Sequence, residues 1–363
     1  VISARFNAKG TGAFIGALKN LNYLSVLGNF GSAITQLGDL AYAMHFNGMS
    51  NTFKAMFGKN NRNWYKRFGL QAKDIDMQSS RDGASKLLHH VLKMVGFTKL
   101  DKFGKNVIME STFRRMRKEA ISDTRKLLGE LEPLYGKDLA KKIINDFKKG
   151  SFTDDVESVI WYKFLDLQPA ALSEMPIGYA TGGNMRLLYM LKSFTLKQFD
   201  VFREANNGQI AKARELWAKG EKEAAVKAAG KGVYNMAALG ATFGIANAGT
   251  SFIKDTMFGR VIDREELQTD TLLRLFGISR YNVWQMRREG IGKGALELFL
   301  PPTAFIDRAS KDLMSLVEGK ASGETFKGIG LGDFYYWHYG GGREKTRKAL
   351  AKKYGVPVEY VPE

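Results

Sequence analysis

Between Val233 and Ile253 the chain runs for 21 residues without a single charge, in a protein whose formal net charge is +18. A neutral helix of that length has two ways to satisfy its surface. About 20 apolar residues can span a bilayer. Gly240, Gly244 and Ala248 place a small residue at every fourth position, the ridge that lets membrane helices approach closely. Lys227 and Lys231 flank one end and Lys254 the other. The segment also holds Asn235, Thr242, Asn247, Thr250 and Ser251, which is polar for a membrane helix. Burial inside a helical bundle is therefore the preferred reading, with the bilayer as the alternative.

The rest of the chain points to helices as well. Apolar residues recur at spacings of three and four, as in Leu21, Leu24 and Leu27, then Ile34, Leu37, Leu40 and Met44. Gly28–Gly31 reads as a break between two helices, and a polar, glycine-marked stretch runs from Gly58 to about Asp82. A long helix is expected from Thr98 or Asp101 to Leu128, closed by Gly129, with Met109, Phe113, Met116, Ala120 and Leu127 as its core stripe. Pro133 can open another that runs to Phe147 and stops at Gly150. Ser151–Leu167 forms the next, with Asp154 and Asp155 suited to its first turn. Pro169–Gly183 reads as a linker, and Asn184 caps a helix to Ala205 whose stripe is Leu188, Leu191, Phe199 and Phe202. Shorter helices fill 263–318, and 343–354 is a basic one. No stretch alternates as a strand would. The expected fold is all-α, an extended multi-helix bundle with glycine-rich connections and no sizeable sheet. It divides into a basic helical part (1–168), a second helical part (184–318) containing the uncharged helix 233–253, and a glycine- and aromatic-rich tail with a terminal basic helix (319–363).

Charge and composition narrow the function. The positive excess is spread through the first third, +7 over residues 1–70 and +5 over 71–130, and returns as +5 over 181–232. Such a balance predicts a polyanionic partner or an anionic surface. The candidate phosphate contacts are Arg114, Arg115, Arg117, Lys118 and Arg125 in the first part, and Lys192, Lys197 and Arg203 in the second. Contacts of this kind neutralise DNA without reading its sequence.

Catalytic chemistry finds little footing. Cysteine is absent, which removes thiolate metal sites and cysteine nucleophiles. The four histidines are His45, His89, His90 and His338; adjacent His89 and His90 point about 100° apart on a helix and share no face. There is no GxSxG string. The pairs Asp154/Asp155 and Glu265/Glu266 sit where helix starts want negative charge. Gly328, Gly330 and Gly332 do not match a phosphate loop. Tyr335, Tyr336 and Trp337 among glycines fit a loop pinned to a core, or a stacking platform for bases. The expectation is a non-enzymatic chain with no metal, no cofactor and no small-molecule substrate. Its first residue is Val1, with no signal-peptide pattern behind it, so it reads as a piece of a longer polypeptide.

Two strings carry a resemblance: LNYLSVLGNFGSAITQLGDLAY (Leu21–Tyr42) and YMLKSFTLKQFDVFRE (Tyr189–Glu204). They resemble segments of the helical "large polyvalent protein-associated" region of giant phage internal virion proteins. The resemblance implies a module packaged inside the capsid and ejected with the genome. There it would assemble with copies of itself or with other ejection proteins, in a conduit for DNA across the host envelope and periplasm. It also allows an accessory, C-terminal domain of an injected enzyme such as a virion RNA polymerase, or a DNA-organising core protein of the capsid. It carries no catalytic residue onto this sequence. DNA is the partner it favours, with membrane as a further one.

Overall fold

A computed structural model describes residues 30–58, 62–70, 83–168, 208–258 and 332–361, with single positions in 12–28 and at 183 and 314. Most of these residues are helical, and no strand occurs among them. The chain order is α1 (Phe30–Thr35), a 3-10 turn (Gln36–Asp39), α2 (Leu40–Asn47), α3 (Met49–Phe57) and α4 (Trp64–Arg67). Then come α5 (Gly83–Met94), α6 (Phe97–Ser122), α7 (Thr124–Tyr135), α8 (Lys137–Lys149) and α9 (Asp154–Leu167). Last are α10 (Lys222–Phe258), α11 (Gly332–Tyr339) and α12 (Gly342–Tyr354). The expected helix Asn184–Ala205, those of 263–318 and most of the linker at 169–183 lie outside the described residues.

Helix α6 is the hub. Every other helix from α1 to α9 packs against it. Its seven consecutive residues Val107–Phe113 are all buried, so it has no solvent face in the middle. The expected stripe Met109, Phe113, Met116, Ala120 and Leu127 is fully buried. Phe113 sits in an aromatic cluster with Trp64, Phe147 and Phe152 at ring-centre separations of 6.1, 5.7 and 4.7 Å. The polar members of the buried run are satisfied. Asn47 Nδ2 donates to Ser111 Oγ at 2.9 Å and Thr112 Oγ1 at 3.0 Å, and both hydroxyls donate to the Ile108 carbonyl at 2.8 Å.

Two boundaries differ from the sequence expectation. The long helix stops at Ser122, not at Gly129. Asp123 leaves helical geometry and its side chain takes the backbone N–H of Lys126 at 3.1 Å, starting α7. Pro133 does not open a helix; it lies near the end of α7, and the break falls at Gly136, whose φ is +75°. A proline deletes one hydrogen bond near a helix end, whereas a positive φ stops the helix outright. The end of α8 is as expected. Gly150 (φ +72°) closes it, with the Ser151 N–H donating to the Asp146 carbonyl at 2.9 Å. Thr153 then caps α9, accepting from Val156 N–H, while its hydroxyl donates to Asp146 Oδ2 at 2.9 Å.

The uncharged segment is the middle of a 37-residue helix, α10. By length and composition it is long and apolar enough to cross a membrane. It is neither wholly buried nor wholly exposed. Ala225, Gly232, Leu239 and Ala246 are buried at intervals of seven, as are Phe243 and Thr250. The helix packs on α1, the 3-10 turn and α2, where Leu239, Phe243 and Ala246 join the main core and Phe243 lies edge-on to Tyr42 at 4.7 Å. On other sides Val233, Tyr234, Ile245 and Phe252 are 69, 71, 58 and 57% exposed. Gly240, Gly244 and Ala248 are half-buried and lie off the packing stripe.

Tyr335, Tyr336 and Trp337 belong to a helix, α11, and not to a pinned loop. Tyr335 is exposed while Tyr336 and Trp337 are half-buried. The turn into α12 needs glycine at 342, because a Cβ there would lie 2.9 Å from both rings. His338 ties α11 to its neighbours: one ring nitrogen is 3.0 Å from the Met257 carbonyl of α10 and the other 2.8 Å from the Arg343 guanidinium.

Candidate nucleic-acid interface

The candidate site grows from a buried carboxylate. Glu110, 2% exposed at the centre of α6, would be costly there without partners. It has three. Arg62 Nη1 donates to both of its oxygens at 2.9 Å, Trp64 Nε1 donates at 3.0 Å, and Arg114 Nε donates at 2.8 Å. One turn before it, Asn106 accepts the Tyr65 backbone N–H at 2.9 Å. Two side chains of α6, four residues apart, thus hold the Arg62–Arg67 segment in place. Two arginines share one carboxylate, so the group keeps a net positive charge.

Around this anchor lies a cleft of about 390 Å³ lined by Arg62, Asn63, Trp64, Lys66, Arg67 and Phe152. The Arg62 guanidinium rests on two rings, 4.3 Å from the centre of Phe113 and 4.5 Å from that of Phe152. Arg67 pairs with Glu157, and that hydrogen bond holds its guanidinium above the ordinary range. Asn63 caps the short helix α4, accepting the Lys66 backbone N–H at 3.0 Å. The Lys66 ammonium is exposed, with no partner among the described residues.

Further exposed cations stand on α6, α7 and α8. Arg117 lies one turn beyond Arg114 on α6, with its guanidinium against Gly150, 3.2 Å from where a Cβ would sit. That places it two residues from Phe152 in the chain. Lys118 next to it, Arg125 at the start of α7, and Lys148 and Lys149 in the last turn of α8 are all exposed. Arg117, Lys118 and Arg125 have no ion-pair partner among the described residues.

Arg115 is differently placed. It lies between Glu119 and Glu130, donating to Glu130 through both terminal nitrogens at 3.0 Å and to Glu119 at 2.9 Å. Lys163 of α9 adds a contact to Glu130 at 3.0 Å. Burial pushes the Glu130 carboxyl up, but the Arg115 hydrogen bonds and charge, with Lys163, outweigh it and hold the group down at about 2. Arg115 therefore ties α6 to α7 and α9. Of the five candidates in this half of the chain, Arg117, Lys118 and Arg125 present free charge and Arg114 is shared with Glu110. Lys192, Lys197 and Arg203 lie outside the described residues.

The cleft itself escapes a periodicity reading. Arg62 and Phe152 are 90 positions apart in sequence. The string Arg62-Asn63-Trp64-Tyr65-Lys66-Arg67-Phe68, cations interleaved with rings, was the available signal. Among the described residues no group of three or more His, Asp or Glu side chains could hold a metal ion.

Comparison with protein-family models, with curated proteins and with solved structures gives no match.

Proposed function

We propose that this chain is a non-enzymatic, DNA-binding helical module of a phage internal virion protein, ejected with the genome to help DNA cross the host envelope. The observation that carries the DNA part is the exposed set Arg117, Lys118 and Arg125, without carboxylate partners among the described residues, together with a cleft that holds three more cations. Structural ion pairs absorb many charges of this protein, as Arg115 and Lys163 illustrate. Cations left outside such pairs at +18 net charge are what a polyphosphate would neutralise. The ejection part rests on the two strings Leu21–Tyr42 and Tyr189–Glu204.

Binding should be independent of sequence and steeply salt-dependent. Replacing Arg117, Lys118 and Arg125 together by Glu should lower affinity for a random duplex at least about tenfold. It should also flatten the plot of log affinity against log salt by about 2 to 3 units. A wild-type affinity that does not change between low and high salt overturns the DNA reading. Finding the chain in the envelope fraction of infected cells, instead of in the spent capsid, tests the ejection part.

A further inference from the structure

Resting on the DNA reading above, we propose that the Arg62–Phe152 cleft takes one unstacked nucleotide, and so prefers single-stranded nucleic acid to duplex. Its cations are of two kinds. Arg62 commits one terminal nitrogen to both oxygens of Glu110, and Arg67 commits Nε and one terminal nitrogen to Glu157. A guanidinium already held by a carboxylate is less free to turn and clamp a phosphate, but it stays a flat cation on which a base can stack. Lys66 is the opposite: an exposed ammonium with no partner among the described residues, suited to a single phosphate oxygen.

Between them sits Phe152, half-buried and steadied by Phe113 at 4.7 Å and Trp64 at 5.5 Å between ring centres. A cavity of about 390 Å³ with an aromatic wall, flat cations and one free ammonium matches a base with its phosphate. Duplex DNA keeps its bases stacked inside and offers this surface phosphates alone. A single strand can turn a base into the cleft and gain stacking there. The rigid floor follows from the fold, because Glu110 and Asn106 of α6 fix the segment that carries Arg62, Trp64 and Lys66.

The test compares a labelled oligo-dT strand of about twelve nucleotides with a duplex of the same length, by fluorescence anisotropy on the full chain. Phe152→Leu keeps the apolar volume and removes the ring. The ratio of single-strand to duplex affinity should fall about tenfold in Phe152→Leu and stay within about twofold of wild type in Phe152→Tyr. Should Phe152→Leu fail to fold, Lys66→Gln, at an exposed position, replaces it. It should make the single-strand salt slope shallower by about 0.7, one phosphate's share. An unchanged ratio in folded Phe152→Leu, or an unchanged slope in Lys66→Gln, overturns the cleft assignment and leaves general DNA binding standing. Wild-type protein that binds neither probe overturns both.

Discussion

Helices α6 and α10 are two long rods built on opposite plans. α6 has 26 residues and is rich in ions, yet its middle is buried on every side. α10 has 37 residues with an uncharged middle, yet it is buried along one stripe and shows Val233, Tyr234, Ile245 and Phe252 elsewhere. Lack of charge therefore does not measure depth in this protein. An ionised helix can sit at the centre when its buried ion has matched partners, as Glu110 does. A neutral helix can sit at the edge when only one of its faces finds a complementary surface.

The contrast can be broken most sharply by truncating a ring in each place. Phe113→Ala should cost roughly 3–5 kcal/mol, since the ring is fully buried among Trp64, Phe147 and Phe152. Phe252→Ala should change unfolding free energy by less than about 0.5 kcal/mol. Comparable losses in urea titrations would mean that the exposed side of α10 is covered in the folded chain.

Glu110→Gln comes next. It leaves Arg62 and Arg114 without their shared counter-charge, and a loss on the order of 3 kcal/mol is expected. A variant with the wild-type melting temperature would show that the Asn106 bond and aromatic packing suffice to hold the Arg62–Arg67 segment.

Acid should act on the same half of the molecule. The Glu130 carboxyl is held down at about 2, below its ordinary 4.5. Its contribution is present above about pH 4.5 and is lost as the pH falls toward 2, an effect on the order of 3 kcal/mol. Glu130→Gln should flatten the stability–pH curve in that window. A slope that survives the substitution would assign it to other carboxylates.

The smallest effect is expected at the edge of the molecule. Val233→Lys should leave the melting temperature within about 2 °C and raise solubility, because the site is 69% exposed. A large drop would mark a covered face.

The sequence announced the helices better than their ends. Apolar spacing located Met109, Phe113, Met116, Ala120 and Leu127 because burial repeats with the helical turn. The stop at Ser122 was hidden, since Asp123 inside a long helical pattern looks like any surface residue until its side chain is seen capping Lys126. Gly136 was overshadowed by Pro133, the louder local signal. At the site, free and committed cations look alike in a string such as Arg114-Arg115-Met116-Arg117-Lys118; Glu110 pairs with Arg114 one turn away, but Glu130, which commits Arg115, sits on the next helix. The cleft depended on a pairing over 90 residues, which no local pattern encodes.

The seven-residue spacing along α10 has a mechanical consequence. A straight α-helix drifts by about 20° per seven residues against such a pattern. A rod that kept Ala225, Gly232, Leu239 and Ala246 on one continuous support would have to wind left-handed around it. Axial motion and rotation are then coupled, as in a screw: a slip of one residue swings the stripe by about 100°. Matched seating returns only after a full seven residues, or about 10.5 Å of travel. Pulled along its axis, α10 would move by detents and not by creep.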